Sequence, residues 1–209
     1  MATEIGVWRV NDQPVRISPA SIPLESKLEN LIMADPAILG VKLLLLGNQI
    51  LTAFGKFIDI LAIDAEGNVH ILELKRDKTP RDVVAQTLDY ASWVSQLGGD
   101  EIRLIFETHN PSQSFDAAFA ERFDGAPVPD ELNADMSLTI VASDLDSSTE
   151  RIVSYLNIAH GVPINVMLFR YFADGGNHYL VRSWLVDDSA ATASKPGGKP
   201  SARRAVWNE

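Results

Sequence analysis

The chain has 209 residues, 46% of them hydrophobic and 22% charged, an ordinary globular composition for one domain with an extension. It contains no cysteine, which excludes a disulfide framework, a thiolate zinc site and a cysteine nucleophile. No apolar run approaches the roughly 18 residues of a membrane span, and MATEIGVWRV lacks a signal-peptide pattern, so a cytoplasmic protein is expected. The net charge of −10 argues against a general polyanion binder, yet residues 100–150 carry twelve acids against Arg103 and Arg122 and account for all of it. The neutral remainder can present a basic rim through Lys42, Lys56, Arg76, Lys78 and Arg81.

A short start with edge-strand character precedes Pro23, after which Leu24, Leu28, Leu31 and Ile32 recur at helical spacing until Asp35-Pro36 stops the helix. Residues 43–63 read as strand, with reversals expected at Gly47-Asn48 and Gly55-Lys56. Ala65-Glu66-Gly67-Asn68 then signals a hairpin, making FIDILAID and VHILELK antiparallel neighbours. Thr79-Pro80 has the form of a helix cap, opening a helix over 81–97 that ends at Gly98-Gly99. The acidic stretch 100–135, with Pro111, Pro127 and Pro129, predicts small helices and loops. LTIVAS is a buried strand, Ser147 to Glu150 has capping-box spacing for the helix RIVSYLNIAH, and NVMLFRYF and HYLVRSWL are two strands joined through 173–177. Residues 1–187 are thus expected to form the domain. From 188 to 209 the composition turns to Ser, Ala, Gly, Pro and Lys, as in a linker or disordered tail.

One constellation carries chemistry. Alternation in VHILELK puts Glu73 and Lys75 on the same strand face, and antiparallel pairing brings Asp59 opposite or diagonal to them. Two carboxylates, with a backbone carbonyl such as that of Leu74, offer the hard oxygen ligands and open water positions that Mg²⁺ or Mn²⁺ accepts. Lys75 can orient or deprotonate a water there, and its charge favours a pentavalent phosphoryl transition state. An isolated Glu-x-Lys is more often an ordinary surface pair. These two lie in a strand otherwise rich in Val, Ile and Leu, where charge is costly to bury unless paired or metal-bound. Gln86 and Tyr90, four apart on the following helix, share one face, so Gln86 can hold the water or Lys75 while the Tyr90 hydroxyl reaches a phosphate or a ligand carboxylate.

Asp59 in GKFIDILAID, Glu73-Leu74-Lys75 in VHILELKRD, and Gln86 with Tyr90 in VVAQTLDYASWV resemble, in order and spacing, the motifs of the PD-(D/E)XK phosphodiesterases, specifically their NucS-like and RecB-like endonucleases. The resemblance is best over residues 24–97. It implies an α/β, restriction-endonuclease-like αβββαβ core with a central mixed sheet flanked by helices. It also implies Mg²⁺ or Mn²⁺ held by Asp59, Glu73 and Leu74, with Glu29 of the first helix as the additional acid that many members place near the metal. The implied substrate is DNA, whether single-stranded, branched or mismatched, for which the basic residues of the charge reading, Lys56, Arg76, Lys78 and Arg81, are candidate contacts; Glu150-Arg151 resembles a motif of a bacterial subgroup and adds Arg151 as a phosphate contact. Pairing as a homodimer is expected on the same ground. In some relatives a further domain follows a linker like residues 188–209, so an excerpt of a longer protein is also expected.

His70, His109, His160 and His178 show no paired-ligand spacing. Gly40 and Gly47 are followed by no phosphate-loop lysine and serine, and no G-x-S-x-G elbow is present. The competing expectation is a nuclease-fold module without catalysis that binds nucleic acid or assembles with a protein, the acidic 100–150 region contacting the protein partner.

Overall fold

A computed structural model describes residues 5–10, 12–21, 25–79 and 81–186, with 76–79 described by backbone alone. The expected tail at 188–209, the helix start at Pro23-Leu24, Pro80, and the side chains of Arg76 and Lys78 lie outside the described residues.

A hairpin of β1 (Val7–Val10) and β2 (Pro14–Ile17) leads through the short β3 (Pro19–Ala20) to α1 (Glu25–Ala34). Leu28 and Ile32, four apart, are the buried stripe of α1. The helix stops because Asp35 accepts a hydrogen bond from Ala37 N and Pro36 opens a separate 3-10 turn, Pro36–Leu39. Strands β4 (Leu44–Leu51), β5 (Phe57–Ile63) and β6 (Val69–Thr79) follow as an antiparallel meander, then α2 (Asp82–Val94), α3 (Gly99–His109) and α4 (Phe115–Arg122). The chain continues into β7 (Met136–Leu145), α5 (Ser147–Ser154) with a π-helical turn at Tyr155–Ala159, β8 (Ile164–Asp174) and β9 (Asn177–Trp184).

The main sheet runs β3-β8-β7-β6-β5-β4, with β9 also on β8. The β6–β7 and β7–β8 pairs are parallel and the others antiparallel. One face of the sheet packs on α2, α3, α4 and α5 through Leu61, Ile63, Val69, Ile71, Val83, Val84, Ile102, Phe106 and Val153. The other packs on α1 and the 3-10 turn through Ile60, Ala62, Leu72, Leu74, Leu28, Ile32 and Leu39. The order α1-β4-β5-β6-α2-β7 is the expected αβββαβ core of a restriction-endonuclease-like fold.

The β5–β6 hairpin forms as expected, with Asp64 Oδ1 accepting from Glu66 N and Asn68 N and Gly67 at φ +84. Other expectations need correction. Gly47-Asn48 makes no reversal: β4 runs through it, with a register shift between Leu45 and Gly47. The glycine serves close approach instead, since a Cβ there would lie 2.6 Å from His109 Cγ. Thr79 ends β6 rather than capping a helix, and α2 begins at Asp82 with Arg81 before it. The helix expected over 81–97 ends at Val94, and Gly98 precedes α3. Asp146, not Ser147, caps α5, accepting from Ser148 N and Thr149 N. The acidic stretch does form the expected small helices and loops, and Phe106, Phe115, Phe119 and Phe123 make a buried chain of ring contacts beneath its charged face.

Candidate active site

The β5–β6 ladder ends at Ile60↔Leu72, whereas β6 runs on beside β7 to Thr79. Continuing the β5–β6 register by one residue sets Asp59 across from Glu73. At this opening the backbone loses its ladder partners and side chains replace them. Asp59 Oδ2 accepts from Leu74 N at 2.7 Å, and the Phe57 carbonyl accepts from the Tyr90 hydroxyl at 2.7 Å. Just beyond Lys75 the β6–β7 register shifts by one residue, a bulge of the kind that re-aims side chains beside sites.

Asp59, Glu73, Lys75, Gln86 and Tyr90 meet here. Lys75 Nζ donates to Glu73 Oε1 at 2.5 Å, Gln86 Nε2 donates to the same oxygen at 2.7 Å, and Gln86 Nε2 lies 2.8 Å from the Tyr90 hydroxyl. Glu73 is 1% exposed and is the one buried charged side chain among the described residues. Its Oε2 is buried without a hydrogen-bond partner among the described residues. An orphaned carboxylate oxygen beside a second carboxylate leaves room for a proton or a cation. Burial first, and then the charge of Asp59, push the Glu73 carboxyl from 4.5 to about 7 against the opposing pull of Lys75. Burial likewise raises Asp59, against the Leu74 N–H and Lys75. For Lys75, burial pulls downward, but its hydrogen bond to Glu73 and the charges of Glu73, Asp59 and Glu25 outweigh it, and the net shift is upward. The electrostatics thus strain toward one more positive charge.

The donor set fits a hard divalent ion. Glu73 Oε2 is free to ligate, and Asp59 supplies the second carboxylate. The Leu74 carbonyl belongs to the residue whose N–H already meets Asp59. No three carboxylate or imidazole groups gather around one point among the described residues. The protein would therefore supply few ligands and water the rest, as Mg²⁺ tolerates.

Glu29 does not stand directly against this cluster. Its carboxylate accepts from Asn48 Nδ2 at 2.7 Å and more loosely from Gln49 Nε2 at 3.4 Å, and Gln49 Nε2 also donates to Asp59 Oδ1 at 3.1 Å. The α1 acid whose charge acts on Asp59, Glu73 and Lys75 is Glu25, one turn earlier. Glu25 and Glu29 share a helix face, so spacing alone could not choose between them. Gln49 was equally unmarked in the sequence. It lies in β4 across from Asp59 by register and holds φ +50, a strained value for a non-glycine residue.

Of the expected basic rim, Lys56 is exposed and shares a cleft with Gln86 and Tyr90. Arg81 is exposed, 4.0 Å from Asp82. Arg151 is exposed on α5 and makes no hydrogen bond to the cluster. Lys42 is instead paired with Asp124 of the acidic stretch.

The αβββαβ fold carries Asp59, Glu73 and Lys75 on its paired strands and Gln86 and Tyr90 on the next helix, the motif order on which the sequence resembles the PD-(D/E)XK class. No protein-family model matches the chain. Solved structures similar to it include a repair endonuclease from Pyrococcus abyssi, at 17% identity and TM-score 0.41 over 70% of this chain and 48% of that one. An EndoMS-dsDNA2 complex is similar at 16% identity and TM-score 0.41, over 78% of this chain and 64% of that one. Apo EndoMS is similar at 17% identity and TM-score 0.40, over 77% and 62%. The chain therefore spans between about half and two thirds of the length of these proteins. The strand order and register, rather than these identities, define the fold.

Proposed function

We propose that this protein is a metal-dependent endonuclease that hydrolyses DNA phosphodiester bonds. The observation that carries the reading is that Asp59 and Lys75 gather at Glu73, whose Oε1 is gripped by Lys75 while its buried Oε2 has no hydrogen-bond partner among the described residues. Asp59 and Glu73, with the Leu74 carbonyl, would hold Mg²⁺ or Mn²⁺, which when bound polarises a phosphoryl oxygen and acidifies a water. The protein's own part is positioning. Gln86 and Lys75 both grip Glu73 Oε1, which leaves Oε2 directed away from them and fixes the carboxylate plane. Lys75, partly exposed at the mouth, offers an ammonium to the attacking water and to charge developing on phosphate. Tyr90 fixes the floor by holding the Phe57 carbonyl and Gln86 together. Gln49 keeps Asp59 facing the cluster while Leu74 N–H anchors its other oxygen.

Purified protein with Mg²⁺ or Mn²⁺ is expected to cut single-stranded, branched or mismatched DNA, and chelation is expected to stop it. Glu73→Ala should abolish cutting while circular dichroism shows the fold retained. Equal cleavage by the wild type and Glu73→Ala would mean a contaminant and overturn the assignment.

A further inference from the structure

Beside the site, the loop joining β4 and β5 carries an apolar patch that the chemistry above does not use. Leu51 and Phe57 are cross-strand partners, and Phe54 lies between them at the loop tip. They are 58%, 52% and 43% exposed. The loop that presents them is tied by its own hydrogen bonds. Thr52 N donates to Lys56 O at 2.8 Å, Lys56 N donates to Thr52 Oγ1 at 3.1 Å, Gly55 N closes onto Thr52 O, and Gly55 supplies the positive φ of +77. Phe57 is fixed from the other side by the bond from Tyr90 to its carbonyl. Exposed aromatic rings on a stiffened loop lose little freedom on contact, which favours binding.

We propose that Phe54 and Phe57 form a stacking platform for an unpaired base of the DNA strand being cut, a subsite that builds on the nuclease reading and defines which DNA it takes. Position supports this occupant. Phe57 is two residues from Asp59 on β5, and two strand residues span about 7 Å, roughly the reach of one nucleotide step. A base on the platform thus belongs to a nucleotide adjoining the phosphate at Asp59 and Glu73. Charge supports the same occupant: Lys56, between Phe54 and Phe57 in the sequence and exposed, offers a cation to the phosphate next to a base on the platform. Size argues against a protein partner, since the three side chains expose on the order of 300 Å². A standard protein interface takes about 800 Å² from each side. Every base has a stacking face, so the platform selects strandedness rather than sequence, and a fully paired duplex keeps those faces buried.

The test compares wild type with the Phe54→Ala/Phe57→Ala double variant. Binding is followed by fluorescence anisotropy on labelled dT20 and on a blunt 20-base-pair duplex in EDTA, and cleavage of both with Mg²⁺. The double variant should bind dT20 about tenfold or more weakly and lose cleavage of it mainly through KM, while duplex values stay unchanged. A Phe57→Trp variant should retain or tighten dT20 binding, and Phe57→Leu, which keeps apolar bulk without a ring, should weaken it; a merely structural loop would not rank them so. Intact cleavage with an unchanged single-strand to duplex ratio in the double variant would overturn the platform and leave the nuclease reading standing. Loss of dT20 binding in the variant of a protein that cuts nothing would keep the platform and overturn the nuclease. Absence of both binding and cleavage in wild type overturns both. A wild-type dimer that the double variant dissolves in sedimentation would show a protein interface and overturn the platform.

Discussion

Replacing Glu73 with glutamine should stabilise the metal-free protein above neutral pH, although it removes the centre of the site. The Glu73 carboxyl is 1% exposed and is raised from 4.5 to about 7, by burial first and by Asp59 second. In the unfolded chain the same carboxyl titrates at its ordinary value. The folded state therefore holds the proton more tightly between these values. Stability from this group is complete below about pH 4.5 and is lost as pH rises through about 7. At 1.36 kcal/mol per unit the loss above pH 7 is about 3 kcal/mol. Glutamine has the shape of the protonated acid and does not ionise. Thermal melts in EDTA should then show Glu73→Gln above wild type at pH 8 by roughly 6–12 °C for a chain of this size. The two should converge near pH 4. Mg²⁺ at about a hundred times its Kd should return about 2.7 kcal/mol to wild type at pH 8 and nothing to the variant. A variant equal to or less stable than wild type at pH 8 in EDTA would refute the reasoning, because Glu73 would then be satisfied without a cation or proton.

Asp59→Asn and Asp59→Ala should separate stability from chemistry. Asparagine can still accept from the buried Leu74 N and should melt close to wild type, whereas alanine leaves that N–H unpaired at a cost of about 1–3 kcal/mol; both should abolish cleavage. Equal destabilisation of the two would deny the Leu74 bond its importance. Gln49→Ala removes the link between Glu29 and Asp59 and should lower divalent-ion affinity or turnover by roughly 10- to 100-fold, the range for groups that orient ligands; isothermal titration with Mn²⁺ measures it. An unchanged affinity and rate would make Gln49 a bystander.

The sequence shows the parts of the site whose positions follow from period alone. Glu73 and Lys75 are two apart on a strand, and Gln86 and Tyr90 are four apart on a helix, so local geometry aligns each pair. The Asp64 to Asn68 turn then fixes the register that brings Asp59 across from Glu73. What stayed hidden depends on tertiary context. Gly47-Asn48 has the composition of a turn, but its glycine answers to His109, far along the chain on α3, and only the packed α3 shows why. Glu25 and Glu29 are equivalent in a helical pattern and are distinguished by how α1 meets the end of the sheet. The acidic run conceals a Phe-lined inner face because charge dominates its average composition while burial depends on the few positions that point inward.

The splay of β5 from β6 connects these observations. Parting two strands exposes backbone groups that must find partners, and in this protein the partners are Asp59 for Leu74 N and Tyr90 for the Phe57 carbonyl. The residues that complete the ladder are thus the ones that border the cluster. Where the ladder ends, Glu73 lies across from Asp59 by register, and its buried Oε2 has no partner among the described residues. The opening also directs Phe57 and the loop behind it outward, beside the site rather than under it. The one strand separation therefore accounts for the buried carboxylate, for the anchored second carboxylate and for the aromatic shelf at the mouth. On the proposed reading, the substrate it takes offers a phosphate and an accessible base within one nucleotide of each other.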